Sequence, residues 1–280
     1  MKRRDFLKSS MLLALATQLP PNILDIEGRK IGLQLYTLRD DLKADFAATL
    51  KQVATLGYKE VELAGYADGL FYGHKPKEFK KIVNDLGLKI ISSHNKITLD
   101  NYEKIISDCK EVGSKYVILP WLSNEEHKTI DQYKIICDLL NKAGELCKSM
   151  GMKVGYHNHA FEFETVDGQI PYEVMLKSTN ENVIFEADLY WITKANRKPL
   201  EFFEQYPKKF ELWHVKDMDN TPEKNFTEIG NGTINFAEIF AKAKQSGMKH
   251  FFVEQDKCLN NKPLKAIEIS INYLKNSSFL

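Results

Sequence analysis

The sequence has no excess of charge of either sign, and it lacks long apolar runs. Its 39 basic and 38 acidic residues leave a formal net charge of +1. Nothing in this balance favours the electrostatic surface that nucleic acids or anionic lipids attract. No apolar run approaches the roughly 18 residues that a membrane-spanning helix needs. We therefore expect no nucleic-acid partner and no membrane span.

Cysteine is also scarce, with four residues: Cys109, Cys137, Cys147 and Cys258. No two of them have the C-x-x-C spacing of a zinc site. Cys137 and Cys147 fall on one predicted helix, about 15 Å apart at 1.5 Å rise per residue, which is too far for a disulfide. We interpret the cysteines as packed thiols.

The N-terminus departs from this balanced composition. Residues 2–8 read Lys-Arg-Arg-Asp-Phe-Leu-Lys, and a short apolar region follows over residues 11–16. This arrangement resembles a twin-arginine export signal, which predicts an exported, periplasmic protein. A basic amphipathic tail is the alternative interpretation. We assign residues 1–25 to an export signal and linker and residues 26–280 to one folded domain.

One local pattern recurs and predicts the fold. A glycine follows an amphipathic segment and precedes a short apolar run at five places: Gly57, Gly87, Gly113, Gly151 and Gly247. Glycine adopts the left-handed conformation that ends a helix, so each unit is a helix followed by a strand.

The eight predicted strands are residues 31–36, 58–63, 88–93, 116–119, 152–157, 183–188, 210–215 and 249–254. Such α/β alternation predicts a single (β/α)8 TIM barrel. An open doubly wound sheet is the alternative, but its dinucleotide fingerprint G-x-G-x-x-G is absent.

Ionisable side chains stand where four predicted strands end. They are His157, Asp188, His214 and Glu254. A single histidine at a strand end is more often a hydrogen-bonded structural residue than a ligand. In a barrel, however, the carboxyl ends of all strands meet at the face that carries the active site. Imidazole together with carboxylate favours a transition metal or zinc. We predict that these four side chains bind one divalent metal ion, with Mn as the first candidate and Co, Fe, Zn or Mg as alternatives.

Other polar and aromatic side chains near strand ends are candidates for contacts with the substrate or with the metal ligands. We assign to substrate binding Gln34, Tyr36, Glu62, His94, Trp121 and Trp191. The aromatic members can stack on a sugar ring or belong to the core. Asp217 or Glu162 can orient the ligand imidazoles from behind, and Asp217 can instead cap the loop that follows it.

Several of these segments resemble the xylose isomerase-like barrel superfamily, in the branch called sugar phosphate isomerases/epimerases. The resemblance covers about residues 31–274. It rests on residues 32–39, 156–159, 162–163, 188, 214–217, 230–232 and 254. The resemblance implies metal ligands at the ends of the fifth to eighth strands, which are the positions of the four residues above. Ketose epimerases of this superfamily carry glutamate at the fifth strand, where this chain has His157. The pattern therefore resembles the dehydratase-like members more closely.

The reaction that fits is removal of a proton next to the carbonyl of a sugar or keto-sugar, with a metal ion stabilising the charge that develops on oxygen. Glu254 is the predicted base, with His159 or Glu162 as a second base, and Lys216 polarises or protonates the oxygen. Isomerisation, epimerisation and elimination all fit such an intermediate.

Export favours a non-phosphorylated substrate, and it suits a partner sugar oxidoreductase that supplies the keto-sugar. The alternative function is a non-catalytic exported sugar-binding barrel. A DNA-repair nuclease of the endonuclease IV type is disfavoured by the balanced charge.

Overall fold

Eight parallel strands close into a barrel in the computed structural model, which describes residues 30–280. In chain order the strands are β1 (Gly32–Gln34), β2 (Glu60–Leu63), β3 (Lys89–His94), β4 (Tyr116–Leu119), β5 (Lys153–His157), β6 (Val183–Asp188), β7 (Leu212–Val215) and β8 (His250–Val253). Each strand pairs in parallel with the next, and β1 pairs with β8 to complete the ring. The predicted single (β/α)8 barrel is confirmed.

Helices connect the strands. The α-helices are Arg39–Ala44, Phe46–Leu56, Pro76–Asp85, Tyr102–Val112, Ile130–Ser149, Pro171–Ser178, Leu189–Lys194, Pro199–Gln205, Phe236–Phe240, Ala243–Ser246 and Pro263–Lys275. All five glycines of the recurring pattern have a positive φ, from 68° at Gly151 to 98° at Gly57. Because this conformation favours glycine, these residues end the helices as predicted.

Most predicted strands differ from the structure by one or two residues at an end, and two predicted elements differ for a specific reason. The first strand ends at Gln34, because its side-chain Oε1 accepts a hydrogen bond from the N–H of Tyr36 (3.0 Å) and starts the 3-10 helix Leu35–Leu38. The single helix expected before Gly247 is two short helices, and the backbone between them leaves α-helical geometry at Lys242 (φ -100°, ψ 6°).

A separate apolar cluster fills the barrel interior, and its members are Ile91, Tyr116, Ile118, Ile184, Leu212 and Phe252. Ile184 and Leu212 stand two residues before Glu186 and His214, so they share the inward face of their strands. Gly155 leaves room for this cluster, since a Cβ there would lie 2.7 Å from Ile184 Cδ1. The interior is therefore apolar at one level and ionisable at the level nearer the carboxyl ends.

Two short antiparallel hairpins follow β2 and β7, formed by Tyr66–Ala67 with Leu70–Phe71 and by Asp217–Met218 with Phe226–Thr227. All four cysteines are free, as expected, and only Cys258 among them is partly exposed. Within residues 30–280, no helix has the length and apolar character to cross a membrane. The export signal predicted over residues 1–25 lies outside the described residues.

Candidate metal centre and active site

The four side chains predicted to bind a metal ion lie together at the carboxyl ends of β5 to β8. We call them the upper cluster: His157, Asp188, His214 and Glu254. The strand register places Asp188 beside His214 at one level of the barrel. One nitrogen or carboxylate oxygen from each residue lies within 4.8 Å of those of the other three. All four residues are buried. The structure thus brings together donors that suit a divalent ion of the Mn to Zn series.

Lys216 lies against this cluster. Its Nζ is 2.8 Å from Asp188 Oδ2, 2.6 Å from Glu254 Oε2 and 2.7 Å from Asp256 Oδ1. Burial alone would lower the pKa of Lys216, but the three carboxylates outweigh it and hold the pKa well above its ordinary value. Lys216 is therefore a fixed positive charge beside two of the predicted ligands.

The carboxylates next to Lys216 have different acidities. Burial raises the pKa of Asp188 to about 6, although Lys216 and His214 oppose the rise. Burial also acts to raise the pKa of Glu254, but the charges of Lys216 and His214 outweigh it and hold that pKa well below its ordinary range. His214 Nδ1 lies 2.7 Å from Glu254 Oε2. Glu254 is thus ionised at neutral pH.

A second group of ionisable side chains adjoins the first, on strands β2, β3 and β6. We call Glu62, His94 and Glu186 the lower cluster. His94 Nε2 is 2.7 Å from Glu186 Oε2 and 3.2 Å from Glu62 Oε2. The amide of Gln34 donates to Glu62 Oε2 (2.8 Å), and the hydroxyl of Ser92 donates to Glu62 Oε1. Gln34 and Glu62 were predicted to contact the substrate. The structure instead places them against each other, below the cavity wall.

A cavity of about 770 Å³ opens above the two clusters, which is a size that accommodates a sugar. The ionisable side chains on its wall are His94, His157, His159, Lys216, Glu254 and Asp256. Tyr36 and Trp121 line it too, with 43% and 48% of their surfaces exposed, respectively. Three predicted substrate contacts, Tyr36, His94 and Trp121, therefore face the cavity.

His159 and Glu162, the two candidates for a second base, occupy different places. His159 lines the cavity, whereas Glu162 is completely buried behind it. Glu162 Oε2 accepts the backbone N–H of His159 (2.8 Å), and its Oε1 accepts the hydroxyl of Tyr156 (2.6 Å). Burial raises the pKa of Glu162 to about 8. Burial, assisted by Lys216, lowers the pKa of His159 to about 3, so its imidazole is neutral. Of the two, His159 is placed to meet a ligand.

Asp217 caps a loop and does not orient an imidazole. Its Oδ2 accepts the backbone N–H groups of Gly230 (2.9 Å) and Gly232 (3.1 Å), and its Oδ1 accepts that of Ile234 (3.2 Å). Glu162 accepts a hydrogen bond from the backbone N–H of His159, which follows β5. The proposed orientation of ligand imidazoles by these two carboxylates is therefore corrected, and the loop-capping alternative describes Asp217.

Trp191 stands behind His159, outside the cavity wall. The ring centroids of the two residues are 5.4 Å apart, and Trp191 also packs edge-on against Tyr190 and Phe226. Trp191 is not among the residues that line the cavity, so its role in substrate binding stays a prediction.

One cavity residue was missed from the sequence, and two buried residues received no role. Asp256, which pairs with Lys216 and lines the cavity, stands three residues after the end of β8, where no local pattern gave a signal. Glu186 stands two residues before Asp188, on the same face of β6, so the period-two spacing of a strand was its signal. Ser92 gave no signal, because a serine in a strand has no preferred role.

The comparisons with known proteins agree with this barrel. A model of the xylose isomerase-like TIM barrel family matches residues 50–277. Inosose dehydratase from Clostridium botulinum is 24% identical over 277 residues, covering 83% of this chain and 90% of that protein. Inosose dehydratase from Clostridium perfringens is 26% identical over 278 residues, covering 91% and 82%.

Solved structures of other proteins have the same barrel fold. A sugar phosphate isomerase/epimerase from Parabacteroides distasonis has a TM-score of 0.78 and 32% identity, covering 90% of this chain and 99% of that one. The IOLI protein with a bound zinc atom shares the fold with a TM-score of 0.69 at 18% identity, covering 88% and 96%. This chain belongs to the xylose isomerase-like TIM barrel family.

Proposed function

We propose that this chain is a divalent-metal-dependent enzyme that removes a proton next to the carbonyl of a sugar or keto-sugar, as a dehydratase, isomerase or epimerase. The observation that carries the proposal is the convergence of two imidazoles and two carboxylates, the upper cluster, at the bottom of a sugar-sized cavity. The similarity to inosose dehydratases and to a sugar phosphate isomerase/epimerase supports the same range of reactions.

The upper cluster, His157, Asp188, His214 and Glu254, would hold the metal ion. Such an ion polarises a carbonyl group and stabilises the negative charge that develops on its oxygen. Mn²⁺ is our first candidate, with Co, Fe, Zn or Mg as alternatives. The zinc of the IOLI protein supports a metal in this fold without identifying the one used here.

Glu254 is the proposed base. It is ionised and lines the cavity, so it can take the proton from the carbon next to the carbonyl. The C–H electron pair then forms a carbon–carbon double bond, and Lys216 stabilises the oxygen that becomes negative. The proton held by Glu254 returns to a neighbouring carbon in an isomerisation. In an elimination it goes to the hydroxyl on the adjacent carbon, which leaves as water.

His159 is the proposed second proton acceptor, since its neutral imidazole reaches the cavity from the segment after β5. One carboxylate and one imidazole are not the matched carboxylate pair of a two-base epimerase. This asymmetry, with His157 in place of a glutamate at β5, favours elimination within the proposed range. The substrate is proposed to be non-phosphorylated, with a partner sugar oxidoreductase as its source.

The test is turnover with and without metal. The purified chain would be treated with a chelator, reloaded with Mn²⁺ and incubated with inosose and a panel of keto-sugars, and products would be followed by NMR. We expect conversion by the reloaded protein and none by the stripped protein or by His214→Ala. The His74→Ala variant, changed at a surface histidine paired with Glu78, is the control and should remain active. Binding of these sugars without any conversion would favour the non-catalytic sugar-binding barrel.

We further propose that the twin-arginine segment exports the protein to the periplasm. A variant with Arg3→Lys and Arg4→Lys should remain in the cytoplasm in cell fractionation, because export of this type depends on the arginine pair. Equal periplasmic recovery of the variant and the unchanged protein would contradict export by this route.

A further inference from the structure

A second pocket adjoins the cavity at the same end of the barrel, between the segments that follow β1 and β2. We call it the side pocket; its walls include Tyr36, Arg39, Lys43, Phe46, Ala64 and Tyr72. Its volume is about 490 Å³, within the range of about 300–1,000 Å³ of small-molecule sites. Tyr36 and Ala64 also line the cavity. A ligand held in the cavity can therefore extend past Tyr36 into the side pocket.

Two cationic side chains line the side pocket. Arg39 and Lys43 stand four residues apart in the helix Arg39–Ala44, so they lie on one face of it. Nη1 of Arg39 donates a hydrogen bond to the backbone oxygen of Tyr36 (3.0 Å), and the guanidinium carbon lies 4.4 Å from the centroid of the Tyr36 ring. These contacts hold the guanidinium in place, and its remaining N–H donors stay available to a ligand.

No carboxylate compensates these cations from the pocket wall. Among the described residues that line the side pocket, none is an aspartate or a glutamate. Asp40 and Asp41, the chain neighbours of Arg39, do not line it either. The side pocket therefore presents positive charge to its contents.

The cavity has the opposite arrangement. Its lysines are paired with carboxylates: Lys96 Nζ lies 2.5 Å from Glu126 Oε2, and Lys216 contacts three carboxylates. Glu254 and Asp256 also line the cavity wall. An anionic group of a ligand would be repelled by these two carboxylates and attracted by Arg39 and Lys43.

The wall of the side pocket that follows β2 is held firmly. Tyr72 has a positive φ of 50°, which is uncommon for a bulky side chain. Its hydroxyl accepts the backbone N–H of Ala64 (3.0 Å), and its ring stacks on that of Phe79 with centroids 5.5 Å apart. A Cβ at Gly65 would lie 2.5 Å from Tyr72 Cε1, so glycine leaves the space that this ring occupies. The pocket is thus preformed.

We infer that the side pocket binds an acidic second unit of the substrate, the carboxylate-bearing ring of a uronic acid joined to the reacting sugar. The planar guanidinium of Arg39 matches a carboxylate in two parallel hydrogen bonds, and Lys43 adds a second positive charge. The rings of Phe46 and Tyr72 suit the apolar face of a sugar. The inference rests on the proposed function in one respect, that the reacting sugar occupies the cavity. A carboxylate accords with a non-phosphorylated substrate.

The test compares acidic and neutral disaccharides by titration calorimetry with the metal-loaded full chain. The probes are glucuronosyl-glucose disaccharides of several linkages, each with its neutral glucosyl-glucose counterpart. The variants are Arg39→Gln and Lys43→Gln, and Lys43→Gln leaves the contact between Arg39 and Tyr36 in place. Lys51→Gln, at an exposed position of the next helix, is the matched control. Circular dichroism verifies that each variant is folded.

For at least one linkage, we expect the unchanged protein and Lys51→Gln to bind the acid about 5–10-fold more tightly than its neutral counterpart, because charge-assisted hydrogen bonds form. This ratio should shrink at high salt and should approach one in Arg39→Gln and in Lys43→Gln. A ratio near one for every linkage in the unchanged protein would overturn the inference, as would an undiminished ratio in both variants. Failure of the acids to bind at all would overturn it too.

A second pair of probes, trehalose 6-phosphate and trehalose, separates a phosphate from a carboxylate. A preference for the phosphate without any preference for a uronic acid would overturn the carboxylate. Turnover is scored separately from binding. A preference for the acid that depends on Arg39 and Lys43, in a protein that converts none of its keto derivatives, would support the side pocket and contradict the proposed reaction.

Discussion

Lys216 and Glu254 form an ion pair at the bottom of the cavity, with Nζ 2.6 Å from Oε2. Lys216 follows β7 and Glu254 follows β8, and both side chains are buried. The same ammonium reaches Asp188, so it touches two of the four predicted metal ligands. A metal ion bound by the upper cluster would therefore share the negative charges of Asp188 and Glu254 with the Lys216 ammonium.

Replacement of Lys216 should separate catalysis from metal binding. In Lys216→Gln we expect kcat to fall about 100-fold or more, because a fixed charge near the developing oxyanion is lost. Metal affinity should not fall, since the substitution removes a positive charge beside Asp188 and Glu254. Steady-state kinetics and a metal titration measure the two effects. Lys249→Gln, which changes a lysine paired with Glu211, is the control, and an unchanged kcat in Lys216→Gln would remove that residue from the mechanism.

Glu162 should make folding stability decrease as the pH rises. Burial raises its pKa from 4.5 to about 8 in the folded protein. Between these values the folded chain keeps a proton that the unfolded chain has lost. The free energy of unfolding then decreases by at most about 1.4 kcal/mol per pH unit from this group.

Urea denaturation at several pH values tests this linkage. Glu162→Gln cannot ionise, so its stability relative to the unchanged protein should increase steadily from about pH 4.5 to pH 8. Glu201→Gln, at an exposed helical position, should show no such trend. Parallel stability curves for the unchanged protein and Glu162→Gln would show that Glu162 is already ionised in the folded chain.

Asp217 should stabilise the loop after β7. Its buried carboxylate accepts backbone N–H groups from three residues of that loop, Gly230, Gly232 and Ile234. Asp217→Ala should lower the free energy of unfolding by about 2–3 kcal/mol, because buried donors lose a charged acceptor. Thermal and urea denaturation measure the loss, with the exposed Asp138→Ala as the control. A loss no larger than that of the control would mean that the loop holds its conformation without Asp217.

Trp121 should contribute to substrate affinity more than to turnover. It lines the cavity and remains 48% exposed, as expected for an aromatic face that a sugar ring can cover. Trp121→Ala should raise KM by roughly 2–10-fold, since aromatic packing contributes about 0.5–1.5 kcal/mol, with kcat nearly unchanged. Ile135→Ala, at an exposed position on the long helix Ile130–Ser149, is the control. A fall in kcat at constant KM would assign Trp121 a different role.

The sequence predicted the barrel because its signals are local and repeated. Each glycine such as Gly57 ends a helix by its own conformation, and the apolar run after it becomes a strand. The convergence of His157 with Asp188 followed from the same reasoning, since the ends of parallel strands in a barrel meet.

The depth at which a side chain lies inside the barrel was harder to predict from the sequence. Glu62 sits near the end of β2, yet it lies below the cavity, and the register between β2 and β3 shifts at Val61 and Glu62. Such a shift arises from the pairing of strands, which no single strand reveals. The partner of Lys216 at Asp256 likewise depends on where the chain turns after β8.

The most direct test of the proposed reaction is hydrogen exchange catalysed by the metal-loaded protein in deuterated water. With inosose or a reactive keto-sugar, the account predicts deuterium at the carbon next to the carbonyl. The exchange should be lost in Glu254→Gln and retained in His74→Gln. Exchange by Glu254→Gln at the rate of the unchanged protein would contradict the central claim that the Glu254 carboxylate removes this proton.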